Sequence, residues 1–105
     1  MKAQIDVVKN KIRKILLDCN YDPIYVNVEP TLGYMPAELK GRIHAYCRAN
    51  VEPHNELYIE VSNWVKWSTI SIIDKETGEK VHKKFRGDDA IENMLEFIRN
   101  KLPAF

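Results

Sequence analysis

The chain changes its hydrophobic period twice, and this change most constrains the fold. Apolar residues near the N-terminus recur every three or four positions, which is typical of one face of an α-helix. These residues are Ile5, Val8, Ile12, Ile15, Leu16 and Cys19. A second stripe of the same kind lies near the C-terminus and consists of Ile91, Met94, Leu95, Ile98 and Leu102. We therefore expect a helix at each end of the chain, with a different structure between them.

Turn-forming residues set the expected ends of both helices. The first helix should end near Asn20, because the residue before Pro23 is pushed out of the helical region. The second helix should begin after Asp88, whose carboxylate can cap free backbone N–H groups. It should stop at Pro103, which cannot continue a helix.

Between the helices, four segments alternate apolar and polar residues. This alternation is typical of strands with one buried and one solvated face. The expected inward-facing residues are Ile24, Val26 and Val28; Ile43, Ala45, Cys47 and Ala49; Leu57, Ile59 and Val61; and Ile70 and Ile72.

A fifth strand is expected from Glu79 to Arg86, after a hairpin turn over 74–78 that ends in Gly78. It places Lys83 on the same side as Val81 and Phe85. An inward-facing lysine is one device that protects the edge of a sheet, so we expect this strand at an edge.

These segments predict one α+β domain that covers residues 1–105. It should contain a five-stranded antiparallel sheet in the order α-β-β-β-β-β-α. Because each strand offers a single apolar face, both helices should pack on that face, which leaves the opposite face open.

The open face is the main candidate for a binding surface. Aromatic rings interleaved with basic groups suit single-stranded nucleic acid, whose bases stack and whose phosphates need neutralising. The same residue types are common anchors in protein interfaces, and they also occur on an ordinary solvated sheet face. The candidate binding residues are Tyr25, Arg42, His44, Tyr46, Arg48, Tyr58, Trp67, His82, Lys84 and Arg86.

The connection over 30–40 is a second candidate, because it is unusually apolar for a loop. Its candidate residues are Leu32, Tyr34 and Met35. Such segments often carry function, although they can equally cover the edge of the core. The first helix also has a basic outer face, which either is solvated or contacts an acidic partner or phosphates.

The sequence contains no motif of catalytic, metal-binding or cofactor-binding type. Cys19 and Cys47 lie on apolar faces, so we expect two buried free thiols, with a disulfide as the alternative. His44 and His82 are expected to be neighbours on the outer face, but two histidines do not make a closed zinc site. We therefore expect no enzyme, no metal and no cofactor.

Charge and hydropathy limit the partners and the location. The formal net charge is +1, which disfavours bulk attraction to nucleic acid or to an anionic membrane. No apolar run approaches the ~20 residues that span a bilayer, and the N-terminus does not have the pattern of a signal peptide. We expect a cytoplasmic protein.

Together these features favour a non-enzymatic protein-binding module of inhibitor, adaptor or regulatory type, with a microbial or mobile-element origin. The first alternative is a module that binds single-stranded RNA or DNA with the same face. A homodimer formed through an open face or edge, with or without an active site at its interface, is the other alternative. The sequence is not identified as a member of any family.

Overall fold

The computed structural model describes residues 4–29, 41–63 and 67–105. Helix α1 and helix α2 flank five strands, and a short 3₁₀ turn follows α2. The elements are α1 (Gln4–Asp18), β1 (Tyr21–Glu29), β2 (Gly41–Ala49), β3 (Glu56–Asn63), β4 (Trp67–Asp74), β5 (Lys80–Arg86), α2 (Ala90–Lys101) and the 3₁₀ turn (Leu102–Ala104). The expected fold class and element order are confirmed.

The sheet is a five-stranded meander with the spatial order β1-β2-β3-β4-β5. Each strand pairs antiparallel with the next strand along the chain. The two edges are therefore β1 and β5, which confirms the edge position expected for the last strand.

Both helices pack on the same face of the sheet. The apolar stripes of α1 and α2 and the inward-facing residues of β1–β4 form one buried cluster. The largest fully buried side chains include Ile12, Leu16, Ile43, Leu57, Ile59, Ile70, Ile72, Met94, Ile98 and Leu102. Buried and half-buried residues alternate strictly along β3 and β4, and neither α1 nor α2 covers the half-buried side.

A bulge in β1 overturns one expectation. Pro23 lies opposite Cys47 and Tyr25 lies opposite Tyr46, so the intervening Ile24 is an extra residue in the ladder. Ile24 is 52% exposed instead of buried. A regular strand would place Tyr21 and Val26 on opposite faces. The extra residue in the bulge keeps both of them on the buried face.

The helix ends differ from the expected ones by small amounts. α1 ends at Asp18, and Asn20 adopts a left-handed conformation (φ 64°), so β1 begins at once and the connection is shorter than expected. At the start of α2, Asp89 and not Asp88 occupies the capping position, and its side chain makes no capping hydrogen bond. The expected cap at Asp88 is therefore wrong.

The β4–β5 hairpin forms as expected. The Asp74 carboxylate accepts hydrogen bonds from the backbone N–H groups of Glu76 (2.9 Å) and Thr77 (3.2 Å). Gly78 then adopts a left-handed conformation (φ 76°), which costs glycine little. This turn fixes the register of β5 on β4.

The bulge gives a matched test with one substitution at two positions on neighbouring strands. Ile43→Ala should reduce the free energy of unfolding by about 2–5 kcal/mol, because Ile43 is buried and its removal leaves a cavity. Ile24→Ala should change it by only about 0.5 kcal/mol, because Ile24 is largely in solvent. Urea denaturation of both variants measures the difference, and equal losses would contradict the bulge.

Candidate functional site: the open sheet face

The open face is the side of the sheet turned away from both helices. Antiparallel register aligns its side chains in rows that cross the strands. The central rows are Tyr25-Tyr46-Tyr58-Ile73-Lys80, Asn27-His44-Glu60-Ser71-His82 and Glu29-Arg42-Ser62-Thr69-Lys84. Arg48 lies between Asp22 and Glu56 at one end of the face, and Trp67 lies opposite Arg86 at the other. All the candidate binding residues of the sheet thus lie on this face.

Three neighbouring strands bring three tyrosines together, and we call Tyr25, Tyr46 and Tyr58 the tyrosine cluster. The rings of Tyr25 and Tyr46 are stacked, with centroids 5.9 Å apart. Tyr58 lies opposite Tyr46 on β3, and the ring of His44 lies 6.0 Å from that of Tyr58. The Nζ atom of Lys75 lies 6.0 Å from the centroid of Tyr46. Rings on β1–β3 therefore lie on three adjacent strands as two contacting pairs, Tyr25 with Tyr46 and His44 with Tyr58.

Carboxylates lie within this aromatic surface, and the sequence reasoning missed their role. The Tyr46 hydroxyl donates a hydrogen bond to the Glu56 carboxylate. His44 lies between two partners, with Nε2 3.0 Å from Glu29 Oε2 and Nδ1 2.5 Å from the Tyr58 hydroxyl. The alternation placed Glu29 on the outer side, but only the register shows that it meets His44. The β1–β3 half of the face therefore carries the expected Arg42 and Arg48 and also carboxylates that the expectation did not include.

The environment of the phenols keeps them protonated. The hydrogen bond to Glu56 raises the pKa of Tyr46 above its usual value, and desolvation adds to the effect. Burial raises the pKa of Tyr58, and the negative charge of Glu60 raises it further. A protonated phenol donates hydrogen bonds and is a poor nucleophile. The Tyr58–His44–Glu29 chain fixes the orientation of its three side chains.

The β4–β5 half of the open face differs in charge from the β1–β3 half, which carries both carboxylates and arginines. The outward-facing side chains of β5 are all basic, and we call them the basic strip. They are Lys80, His82, Lys84 and Arg86. The outward residues of β4 are Trp67, Thr69, Ser71 and Ile73. The Nζ atom of Lys84 lies 4.5 Å from the centroid of Trp67, and the Ser71 hydroxyl lies 2.8 Å from Nδ1 of His82. No carboxylate belongs to the outward-facing residues of these two strands.

Three further expectations concern the pair of histidines, a metal site and the loop over 30–40. His44 and His82 share a row but are separated by Glu60 and Ser71, so they are not neighbours. Within the described ranges, no group of three or more His, Cys, Asp or Glu residues is arranged to hold a metal ion. The loop candidates Leu32, Tyr34 and Met35 lie outside the described residues.

The two cysteines are free thiols. Cys47 is fully buried on the inner face of β2, and burial raises its pKa to about 12. Cys19 is only half-buried, which corrects the expected core position, and burial also raises its pKa. It lines a cleft of about 470 Å³ at the end of the sheet, together with Tyr21, Val51 and Phe105. A thiol with a raised pKa carries little thiolate at neutral pH, so neither cysteine has the character of a nucleophile.

The buried thiol of Cys47 predicts how stability depends on pH. In an unfolded chain the pKa of this thiol is near its ordinary value of 9.0, whereas the folded chain raises the pKa to about 12. Between these values the unfolded state binds fewer protons, so the free energy of unfolding should fall as the pH rises. This contribution is fully present below about pH 9 and is lost as the pH approaches 12.

The variant Cys47→Ala removes this contribution, so its unfolding free energy should fall less steeply between pH 9 and 12. Denaturant titrations at several pH values measure both slopes, and Cys19→Ala is the matched control because Cys19 is half-buried. An unchanged slope in Cys47→Ala would contradict the buried, protonated thiol.

These features define a small two-layer α+β domain with one open, charge-divided sheet face. No family model, curated protein or solved structure matches this chain significantly. Among the described residues, no helix has both the length and the apolar character needed to cross a membrane. A functional assignment therefore depends on the geometry of the open face.

Proposed function

We propose that this protein is a non-enzymatic module that binds another protein with its open sheet face. The observation that carries the proposal is the tyrosine cluster, a set of aromatic rings on three adjacent strands with neither helix covering it. Tyrosine and tryptophan are enriched among the residues that dominate binding energy at protein interfaces. A module of this kind acts as an inhibitor, an adaptor or a regulatory subunit.

The hydrogen bonds within the cluster support this proposal. Tyr46 is held by Glu56, and Tyr58 is held by His44, which in turn contacts Glu29. Side chains that are fixed before binding lose less conformational entropy when a partner docks. The partner would therefore meet a preorganised surface with ring faces for packing and polar groups at their edges.

The carboxylates favour a protein partner over nucleic acid for this half of the face. The outward residues of β1–β3 include four carboxylates and only two arginines, namely Asp22, Glu29, Glu56 and Glu60 against Arg42 and Arg48. Phosphates of bases that stack on Tyr46 or Tyr58 would therefore meet a net negative charge. The basic strip is the observation that favours the alternative, because Lys84 and Trp67 together offer a ring and a cation. Single-stranded nucleic acid along β4 and β5 is therefore the second candidate function.

The two free cysteines support a cytoplasmic location. Disulfides are rare in the cytosol, where thiols are kept reduced. We propose a cytoplasmic site of action on this ground.

The test is affinity capture from a nuclease-treated lysate with the tagged protein and a double variant, Tyr46→Ala with Trp67→Ala. Proteins that bind the open face should be captured by the wild type and lost from the variant. Circular dichroism and a thermal melt establish that the variant is folded. Nuclease treatment removes proteins that bind only through nucleic acid.

A matched control removes exposed apolar groups elsewhere on the surface. Leu17 on α1 and Val51 after β2 are both exposed, so Leu17→Ala with Val51→Ala should retain the partners. Retention of every partner by the folded open-face variant would refute the proposal. Loss of all capture after nuclease treatment would favour the nucleic-acid alternative.

A further inference from the structure

β5 forms an edge of the sheet, and its side chains are largely in solvent. Only Val81 and Phe85 are half-buried, and the other five residues of the strand are exposed. Among the described residues, no backbone group of Lys80–Arg86 hydrogen-bonds outside the β4–β5 ladder. The outer edge of β5 therefore presents a row of backbone donors and acceptors.

The β4–β5 register identifies these donors and acceptors. The N–H group of Asp74 donates to the carbonyl oxygen of Glu79 at 2.8 Å, so Glu79 directs its backbone towards β4. Backbone direction alternates along an antiparallel strand. Val81, Lys83 and Phe85 consequently bond to β4, and the N–H and C=O groups of His82 and Lys84 point outward.

Positive charge borders this edge on both faces. The basic strip lies on the open-face side. On the helix side, the Nζ atom of Lys83 lies 5.3 Å from the ring centroid of Phe85 and 5.4 Å from that of Phe97. The two rings meet edge to face at 5.7 Å, and both are half-buried. The edge thus combines two half-buried aromatic rings with basic side chains on both faces of the sheet.

The same charges disfavour a second copy of the chain at this edge. A twofold antiparallel pairing centred on Lys83 would place Lys83 opposite Lys83 and Lys80 opposite Arg86. Like charges directly opposite each other destabilise a strand pair. A partner strand of opposite charge would instead be attracted.

We infer that β5 accepts an extended acidic segment of the partner protein as a sixth strand. This inference rests on the proposed protein-binding function and names the chemistry of the partner. Side chains opposite Lys80, His82, Lys84 and Arg86 would be acidic. Those opposite Val81 and Phe85 would be apolar and would pack towards Phe97. Strand addition of this kind takes affinity from the backbone and specificity from alternate side chains.

A synthetic heptapeptide, Glu-Val-Glu-Thr-Glu-Val-Glu, tests the inference. Its sequence is the same in both directions, so it presents the required pattern to β5 in parallel or antiparallel orientation. Added at millimolar concentration to the ¹⁵N-labelled protein, it should shift the amide signals of β5. It should also slow hydrogen exchange at the outward amides of His82 and Lys84.

Two control peptides separate strand addition from simple charge attraction. One has the same composition with the four glutamates in a single block, and the other is methylated on its backbone nitrogens. Neither should slow exchange at His82 and Lys84. Equal protection by either control would overturn the inference, as would binding shifts confined to the tyrosine cluster.

Protein variants test the charges and keep this inference separate from the proposed function. Lys80→Glu with Lys84→Glu should weaken peptide binding about tenfold, because two cross-strand pairs change from attractive to repulsive. Leu17→Ala, at an exposed position of α1 away from the sheet edge, should leave peptide binding unchanged. If the reversed variant still binds the peptide as tightly as the wild type, the edge inference fails, whereas the capture experiment alone decides whether the open face binds a protein.

A single-stranded oligothymidine is the last control. Protection of His82 and Lys84 by the peptide and not by the oligonucleotide supports strand addition. Displacement of the peptide by equimolar oligonucleotide would overturn the inference in favour of phosphate binding by the basic strip.

Discussion

The whole architecture depends on one constraint, namely that most strands have a single apolar face. A sheet of five sequential antiparallel strands buries that face only if something covers it, and the chain supplies one amphipathic helix at each end. Both stripes enter the same buried cluster, so both helices cover the same side. The opposite side is consequently left to polar and aromatic residues, and every functional proposal follows from this asymmetry.

The open face is divided by its own contacts. On β1–β3, the Glu56 carboxylate bonds to Tyr46, and Glu29 contacts His44, which in turn bonds to Tyr58. On β5, lysines and an arginine lie along an edge strand, and the outward residues of β4 bring no carboxylate to them. One half therefore offers preorganised rings, and the other offers positive charge beside an outward-directed backbone. These two properties suit a protein partner that packs on the rings and extends an acidic strand along the edge.

Periodicity was sufficient to predict the helices, the strands and the edge position of β5, because each of these depends on residues close in sequence. The bulge at Ile24 was not predictable in this way. Ile24, Val26 and Val28 alternate as well as any strand, and only the burial of Tyr21 requires the shift in phase. The contacts of Glu29 with His44 and of Glu56 with Tyr46 likewise depend on cross-strand register. Asp88 and Asp89 are equally good capping residues by type, so the sequence could not choose between them.

One face of the sheet is covered by both helices, and the other face is open. Tyrosines report on both faces, because Tyr21 is 5% exposed on the buried side and Tyr25 is 37% exposed on the open side. A soluble gadolinium agent broadens the NMR signals of rings that solvent reaches. With ring-labelled tyrosine, we expect strong broadening of Tyr25, intermediate broadening of Tyr46 and Tyr58, and little broadening of Tyr21. Similar protection of Tyr21 and Tyr25 would contradict an open face.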